Sequence, residues 1–414
     1  MTPHGFSRED SIYRSRDVLG TAYQPETIRG REEAIAEFEL CLQPVIDGDT
    51  PQNVFLYGKS GVGKTATTRY ITEVLKRDAA EYDDLSLIVP EVNCKNNDTS
   101  HKAATTLLNV LRERRDEEPI SQKAYPTATV FDMLWEDLER VGGTALIILD
   151  EIDGLGNDDT LLYQIARAGE NRNIEEVKLG IIGISNSLNY RDRLDPSVKD
   201  SLCEREIYFA PYDAEELREI LEARAEKAFR DGVLEDGTVR LCAALAAQDT
   251  GSARQALDLL REAGNLAHIE GAATVTKEHA RRSESRLERA RAERSMAELT
   301  PHARYVLSTL VKLRVYEPER LPARREMLHD EYCELVSGGN RTPLKIRRFH
   351  DHLSQLDLLG IVNRHRESTG ERGGSHHRYD LEVPLSAALD ALSTEQGRID
   401  HEQWRTDARN RGLL

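Results

Sequence analysis

The 414 residues carry 56 Lys and Arg against 73 Asp and Glu, a formal charge of -17. That balance argues against a general nucleic-acid coat and confines any DNA contact to a local basic surface. The length exceeds what one hydrophobic core usually organises, so two or three domains are expected. Cys41, Cys94, Cys203, Cys242 and Cys333 form no CxxC pair, which suggests neither a zinc site nor a disulfide framework and fits a reducing cytosol. No run approaches the roughly 18 apolar residues of a membrane span, and the polar N-terminus lacks a signal-peptide core, so a soluble cytoplasmic protein is expected. The acidic excess suits a high-salt cytoplasm, but ordinary bacteria carry such acidic proteins too.

Residues 1–22 read as a mobile arm. From Thr27 to Val45 the apolar spacing is helical, with Ile35, Phe38, Leu42 and Val45 on one stripe. Short apolar runs then alternate with helical patterns: VFLY at 54–57, LIVPEVN at 87–93, ALIILD at 145–150, LGIIGISN at 179–186 and IYF at 207–209. Such alternation predicts a parallel sheet with helices on both faces over residues 23–210. Two helical stretches around Pro119 and Pro126 lengthen the crossover after LIVPEVN.

The first run leads into Gly58-Lys59-Ser60-Gly61-Val62-Gly63-Lys64-Thr65-Ala66, a GxxxxGK[ST] loop between strand and helix. Backbone N–H groups in such a loop wrap phosphates, and glycine permits dihedrals and a close approach that a Cβ would obstruct. Lys64 is placed to neutralise the β and γ phosphates and Thr65 to bind Mg2+, with the helix N-terminus facing the anion. ALIIL ends in Asp150-Glu151, where the first carboxylate suits Mg2+ and the second the attacking water. That order favours hydrolysis over transfer to a second substrate. Asn186 ends the next strand, where its amide suits a place between γ phosphate and water; a turn role fits the residue alone equally well.

After Pro211 the pattern becomes helical, with acidic turns and glycines separating three helices and a charged connector helix at 277–299, a lid-like bundle over 211–298. Arg254 opens the last of the three, where a guanidinium could cross to a phosphate; a solvated helix arginine is the alternative. Tyr212, directly after Pro211, completes the expected nucleotide-contact set. Residues 299–392 read as three helices and a hairpin, a winged helix, the first and third helices opening with Thr-Pro. From 393 to 414 the chain reads as a polar tail. Residues 301–380 hold 14 Lys and Arg against 11 Asp and Glu, a net of +3, leaving -20 for the remainder. On the third helix Thr342, Lys345, Arg347, Arg348 and His352 supply donors, over an inward stripe of Leu344, Ile346, Phe349, Leu353 and Leu356. Arg366, Arg372, His376, His377 and Arg378 flank a Gly373-Gly374 wing tip suited to a minor groove.

The succession GKSGVGKT, LIILDEID, GIIGISN, GSARQALDLLR and winged helix resembles the initiator branch of the AAA+ ATPases, closely similar to archaeal origin-recognition proteins of the ORC/Cdc type. YQPETIRGREEAI, LDPSVKDSL and DHLSQLDLLGIVNRHRESTGERGG look like that family as well, so the resemblance spans about residues 15–392. It implies a multidomain α/β chain: an AAA+ base with a helical insertion around Asp98 to Arg115 that contacts DNA, a helical lid, and a winged helix. It also implies ATP/ADP and Mg2+ as ligands, Asp150 with Thr65 at the metal, Glu151 on the water, Asn186 as sensor one and Arg254 as sensor two. Origin duplex DNA, the MCM helicase and paralogous initiators are the implied partners, at the nucleoid. The chain departs from many AAA+ proteins at Ser201, where an arginine finger is expected. Lys199 or Arg205 stands nearby as a substitute, and a slowly hydrolysing monomeric switch fits better than a ring motor. An ATP-dependent transcriptional regulator or signalling ATPase is the competing function.

Overall fold

The computed structural model describes residues 12–202, 205–338, 341–368, 375–393 and 399–414. The chain divides into two compact units, residues 1–281 and 282–414.

The first unit is built on an all-parallel sheet. After α1 (Glu32–Ile46) come β1 (Val54–Tyr57), α2 (Lys64–Ala79), β2 (Leu87–Ile88), β3 (Glu91–Asn93), α3 (Ser100–Glu113), α4 (Thr127–Val141) and β4 (Thr144–Asp150). Next follow α5 (Thr160–Ala166), β5 (Lys178–Ser185), α6 (Tyr190–Arg193), α7 (Pro196–Leu202) and β6 (Arg205–Tyr208). The strand order is β2-β4-β5-β1-β6, with β3 also paired to β4. β4 and β5, central and mostly Ile, Leu, Gly or Ala, are buried over nearly their whole length, which explains their apolar runs. LIVPEVN forms two short strands rather than one. Pro90 has no N–H for the ladder, and only its carbonyl pairs, accepting from Ile148 N at 2.9 Å. Helix α1 begins at Glu32, five residues later than the apolar spacing suggests.

The helical end of this unit comprises α8 (Ala214–Ala228), α9 (Thr238–Asp249) and α10 (Ala253–Ile269), followed by the connector α11 (Lys277–Ala297), which leads into the second unit. A capping box formed by Asp213 and Glu216 starts α8, and Ser252 caps α10.

Residues 12–22 are not a free arm. Ile12, Tyr13, Val18 and Leu19 are buried, Tyr13 pairs with Phe229 as an isolated antiparallel bridge, and Arg224 donates to Val18 O at 2.9 Å. Tyr13 stacks on Phe229 and reaches Arg261 O and Asn265 Oδ1, each at 3.1 Å, in the gap that Gly264 leaves open. Apolar contacts offset the entropy of ordering this segment, although apolar and polar residues are equally many in it.

In the second unit lie α12 (Pro301–Tyr316), β7 (Ala323–Arg324), α13 (Arg325–Gly338), α14 (Ile346–Leu358), β8 (Val362–Ser368), β9 (Ser375–Leu381), α15 (Leu385–Leu392) and α16 (His401–Asn410). The antiparallel sheet runs β7-β9-β8, so the wing hairpin has a third, short strand. Thr300 caps α12, with Pro301 in the first turn. The polar C-terminal stretch is not a tail throughout: α16 packs on α12, with His401 and Ala408 buried and Trp404 edge-on to Tyr316 at 6.4 Å. Buried Ser308 Oγ lies 3.1 Å from His401 Nε2, a partner that keeps both polar groups tolerable inside.

Candidate nucleotide site and nucleic-acid face

In the first unit the carboxyl ends of β1, β3, β4 and β5 gather Gly58, Asn93, Asp150 and Asn186 at one rim, where open α/β sheets bind ligands. A cavity of about 800 Å³ opens there, lined by the phosphate loop, Asp150, Glu151, Asn186, Tyr212, Arg254 and residues 20–29.

Each glycine of the loop occupies a space that admits no side chain. A Cβ on Gly58 would lie 2.3 Å from Phe209 O, one on Gly61 2.0 Å from Ser252 Oγ, and one on Gly63 2.5 Å from the Tyr212 hydroxyl. Gly61 and Gly63 also sit at φ +81° and +94°. Tyr212 therefore supports the loop from behind while also lining the cavity. Its ring carries the Arg31 guanidinium at 3.6 Å, and Arg31 in turn donates to Val62 O (3.1 Å) and Ala210 O (2.6 Å). Val62 is buried in the core, and Ala66 O accepts from Gln24 Nε2.

Lys64 is 4% exposed, and its ammonium donates to Gly58 O (2.8 Å), Lys59 O (2.7 Å) and Asn186 Oδ1 (3.0 Å). Burial pushes its pKa down to about 8, partly offset by Asp150 and Asp153. The Thr65 hydroxyl is 3.2 Å from both oxygens of Asp150, whose carboxyl burial pushes above the ordinary range. A hydroxyl and a buried carboxylate converging beside the phosphate loop are hard oxygen donors of the kind Mg2+ takes.

Glu151 adopts left-handed backbone angles, φ 51° and ψ 46°, a strained state for a non-glycine residue. Its carboxylate is held between two amides, Asn93 Nδ2 at 3.1 Å and Asn186 Nδ2 at 3.3 Å. Asn186 thus links Lys64 and Glu151 through its two amide atoms, and Asp153 fixes it by accepting from Asn186 N at 3.0 Å. From the helical end, Ala253 N donates to Gly61 O at 3.0 Å and Arg254 Nη1 approaches Ser60 Oγ at 3.4 Å. Of the two substitutes for an arginine finger, Lys199 pairs with Asp192 at 3.6 Å, and Arg205 binds Gln52 at the amino end of the strands. The side chain of Ser201 lies outside the described residues.

In the second unit α14 starts at Ile346, so Thr342 and Lys345 stand on the turn before it rather than on the helix. Pro343 does not start the helix, because Lys345 is its cap residue in extended conformation. Phe349, Leu353 and Leu356 face the core, Leu344 packs at its margin, and Ile346 is exposed, a correction to the expected stripe. Thr342, Lys345, Arg347, Arg348 and Arg366 are exposed, and among the described residues no carboxylate pairs with these four cations. Arg378 is different, half-buried and donating to Pro322 O at 3.3 Å. Arg372 and the Gly373-Gly374 tip lie outside the described residues, as does the side chain of His376, whose backbone is in β9.

Family models match the chain in three places: an AAA ATPase domain over 27–174, a Cdc6 AAA+ ATPase-type lid domain over 218–285 and a CDC6 C-terminal winged helix domain over 294–391. ORC1-type DNA replication protein 15 of Haloarcula marismortui is 46% identical over 388 residues, covering 94% of each chain. ORC1-type DNA replication protein 10 of Halobacterium salinarum is 45% identical over 390 residues, 94% of this chain and 93% of that one. The structure of the Aeropyrum pernix ORC1 protein in complex with DNA matches with a TM-score of 0.78 at 34% identity, over 93% of this chain and 97% of that chain. The chain belongs to the ORC1-type DNA replication proteins.

As an ORC1-type protein it is an AAA+ ATPase with a winged helix, as the motif order leads one to expect. Sequence reasoning misses Arg31, Asn93 and Asp153, which hold the site together from outside its motifs. Asn93 had one usable signal, a polar residue ending the strand beside the one that bears Asp150. Arg31 had none, because only packing brings it under Val62. Among the described residues no helix is long and apolar enough to cross a membrane.

Proposed function

We propose that this ORC1-type protein is an ATP-regulated replication initiator, binding origin duplex through its winged helix and using ATP binding and slow hydrolysis as a switch that recruits or loads the MCM helicase. What carries the proposal is one chain holding a nucleotide cavity lined by its own lid and a recognition helix whose exposed cations lack carboxylate partners among the described residues. Its relative from Aeropyrum pernix was solved with DNA.

Lys64 exchanges its carbonyl partners for phosphate oxygens, which releases Asn186 to orient toward a water beside the terminal phosphate. Glu151 orients that water and accepts its proton, held in place by the amides of Asn93 and Asn186. Mg2+, when bound with the nucleotide, would neutralise phosphate charge, and Thr65 and Asp150 would hold it. A nucleotide touching both Lys64 and Arg254 favours one lid angle, and hydrolysis removes that preference. With no arginine at Ser201, hydrolysis proceeds without acceleration from a neighbouring copy. In the second unit Lys345, Arg347, Arg348 and Arg366 engage phosphates and base edges. Mapping bound DNA across the genome against replication start sites tests the proposal. Enrichment at repeated elements beside start sites supports it, and enrichment at promoters alone points instead to a transcriptional regulator.

A further inference from the structure

Helix α14 begins without a cap of its own. Lys345 stands at the cap position, φ -64° and ψ 151°, and its side chain accepts no hydrogen bond from the first turn. A helix start of this kind forfeits the side-chain cap that usually fixes where the first turn sits. Its placement must come from the preceding turn, residues 341–345, which carries two of the exposed donors, Thr342 and Lys345.

That turn is gripped at one residue. Leu344 N donates to the Tyr332 hydroxyl at 3.3 Å, and Leu344 O lies 2.9 Å from His329 Nε2, which supplies the proton. His329 and Tyr332 are three residues apart on α13, so they project from one face and reach both polar groups of the same residue. The Tyr332 hydroxyl is itself directed: His302 Nδ1 of α12 lies 2.6 Å away and accepts its proton. Burial, with Arg341 and His352 nearby, lowers the pKa of His302, which keeps that nitrogen an acceptor, while burial raises that of Tyr332, which keeps the phenol protonated. The rings are locked as well. Tyr332 is fully buried, with its centroid 5.0 Å from that of Phe349, the first inward residue of α14, and His329 meets Phe349 edge-on at 5.2 Å.

We infer that His302, Tyr332 and His329 form a clamp on the Leu344 backbone that positions the turn and first residues of α14 for duplex DNA, making Tyr332 and His329 positioning residues for binding rather than contacts. This rests on the proposed DNA-binding role of α14. The clamp is independent of charge, so it acts on the geometry of Lys345, Arg347 and Arg348 without altering how many cations face the duplex.

Tyr332→Phe removes one hydroxyl and keeps the ring, and His329→Leu removes the donor to Leu344 O. His329→Gln keeps an N–H at comparable reach. The full-length protein is titrated with a labelled duplex carrying a genome-mapped site, at several salt concentrations, beside a random duplex of equal length. Hydrogen exchange of residues 341–348 is followed by mass spectrometry on the same samples. Tyr332→Phe and His329→Leu should each weaken site binding about tenfold, the scale of losing one or two part-buried hydrogen bonds, with the salt slope of the parent unchanged. Exchange in 341–348 should accelerate in both, and His329→Gln should restore affinity and protection. Parental affinity in Tyr332→Phe and His329→Leu, or unaltered exchange, overturns the clamp. A parent that binds neither duplex refutes the DNA-binding role instead, and exchange alone then decides the clamp.

Discussion

The chain has two regions shaped for anions, and they are built on opposite principles. The phosphate loop is enclosed and made of backbone: its geometry needs glycine at Gly58, Gly61 and Gly63, and its buried cation, Lys64, is already hydrogen-bonded to loop carbonyls. The face of α14 is exposed and made of side chains, with Lys345, Arg347 and Arg348 projecting into solvent. A buried cradle fixes one small ligand through many interlocking atoms, so single substitutions are costly. An exposed face shares a long polyanion among several cations, so losses there are graded and sensitive to salt.

The largest expected effect tests whether the cradle separates binding from chemistry. Glu151→Gln should lower ATP turnover by about 10² to 10⁴-fold, the usual contribution of a general base, with ATP affinity within about twofold. Single-turnover hydrolysis with parallel nucleotide titration measures both, and undiminished turnover removes Glu151 from the chemistry. Gly61→Ala comes next. The added Cβ meets Ser252 Oγ at 2.0 Å in a left-handed conformation, so loop and lid must part, and ATP affinity should fall by about tenfold or more. Affinity equal to the parent would mean that loop and lid do not need this contact.

On the exposed face, Arg347→Ala with Arg348→Ala should weaken duplex binding by about tenfold near 0.1 M salt and lower the salt slope by about 2. Unchanged affinity and slope would take α14 out of the interface and end the comparison. The smallest effect concerns protons. With its pKa near 8, Lys64 is charged below that value and increasingly neutral above it, whereas a bound phosphate favours the cation. ATP binding should therefore take up almost no proton at about pH 6.5 and about half a proton by about pH 8, with affinity declining about twofold over that interval. Calorimetry in buffers of different ionisation enthalpy reads this uptake directly. Duplex binding by the arginines should show no such step, because guanidinium stays charged throughout.

The same contrast explains what could be read in advance. Gly58 to Thr65, Asp150 and Glu151 were legible because a backbone cradle and a charged pair at a strand end leave few residue choices. The α14 start was misplaced because Thr342-Pro343 satisfies the local rule for a helix opening, while the clamp from Tyr332 and His329 holds that turn extended. Residues 12–22 looked solvated because polar residues interrupt their few apolar ones, and α16 because its polar residues outnumber the apolar ones. A few side chains, Tyr13, Leu19, Trp404 and Ala408 among them, suffice to dock them once a receiving surface exists.

Sequence alone determined the order of domains, the phosphate loop and the acid pair, since each is dictated by local backbone geometry or by the alternation of strand and helix. Only the tertiary structure decided that Asn93 and Asn186 hold Glu151, that Arg31 and Tyr212 brace the loop, and which cations of the α14 face are exposed to solvent. Those depend on residues far apart in the chain, and distance in space is not written in any local pattern.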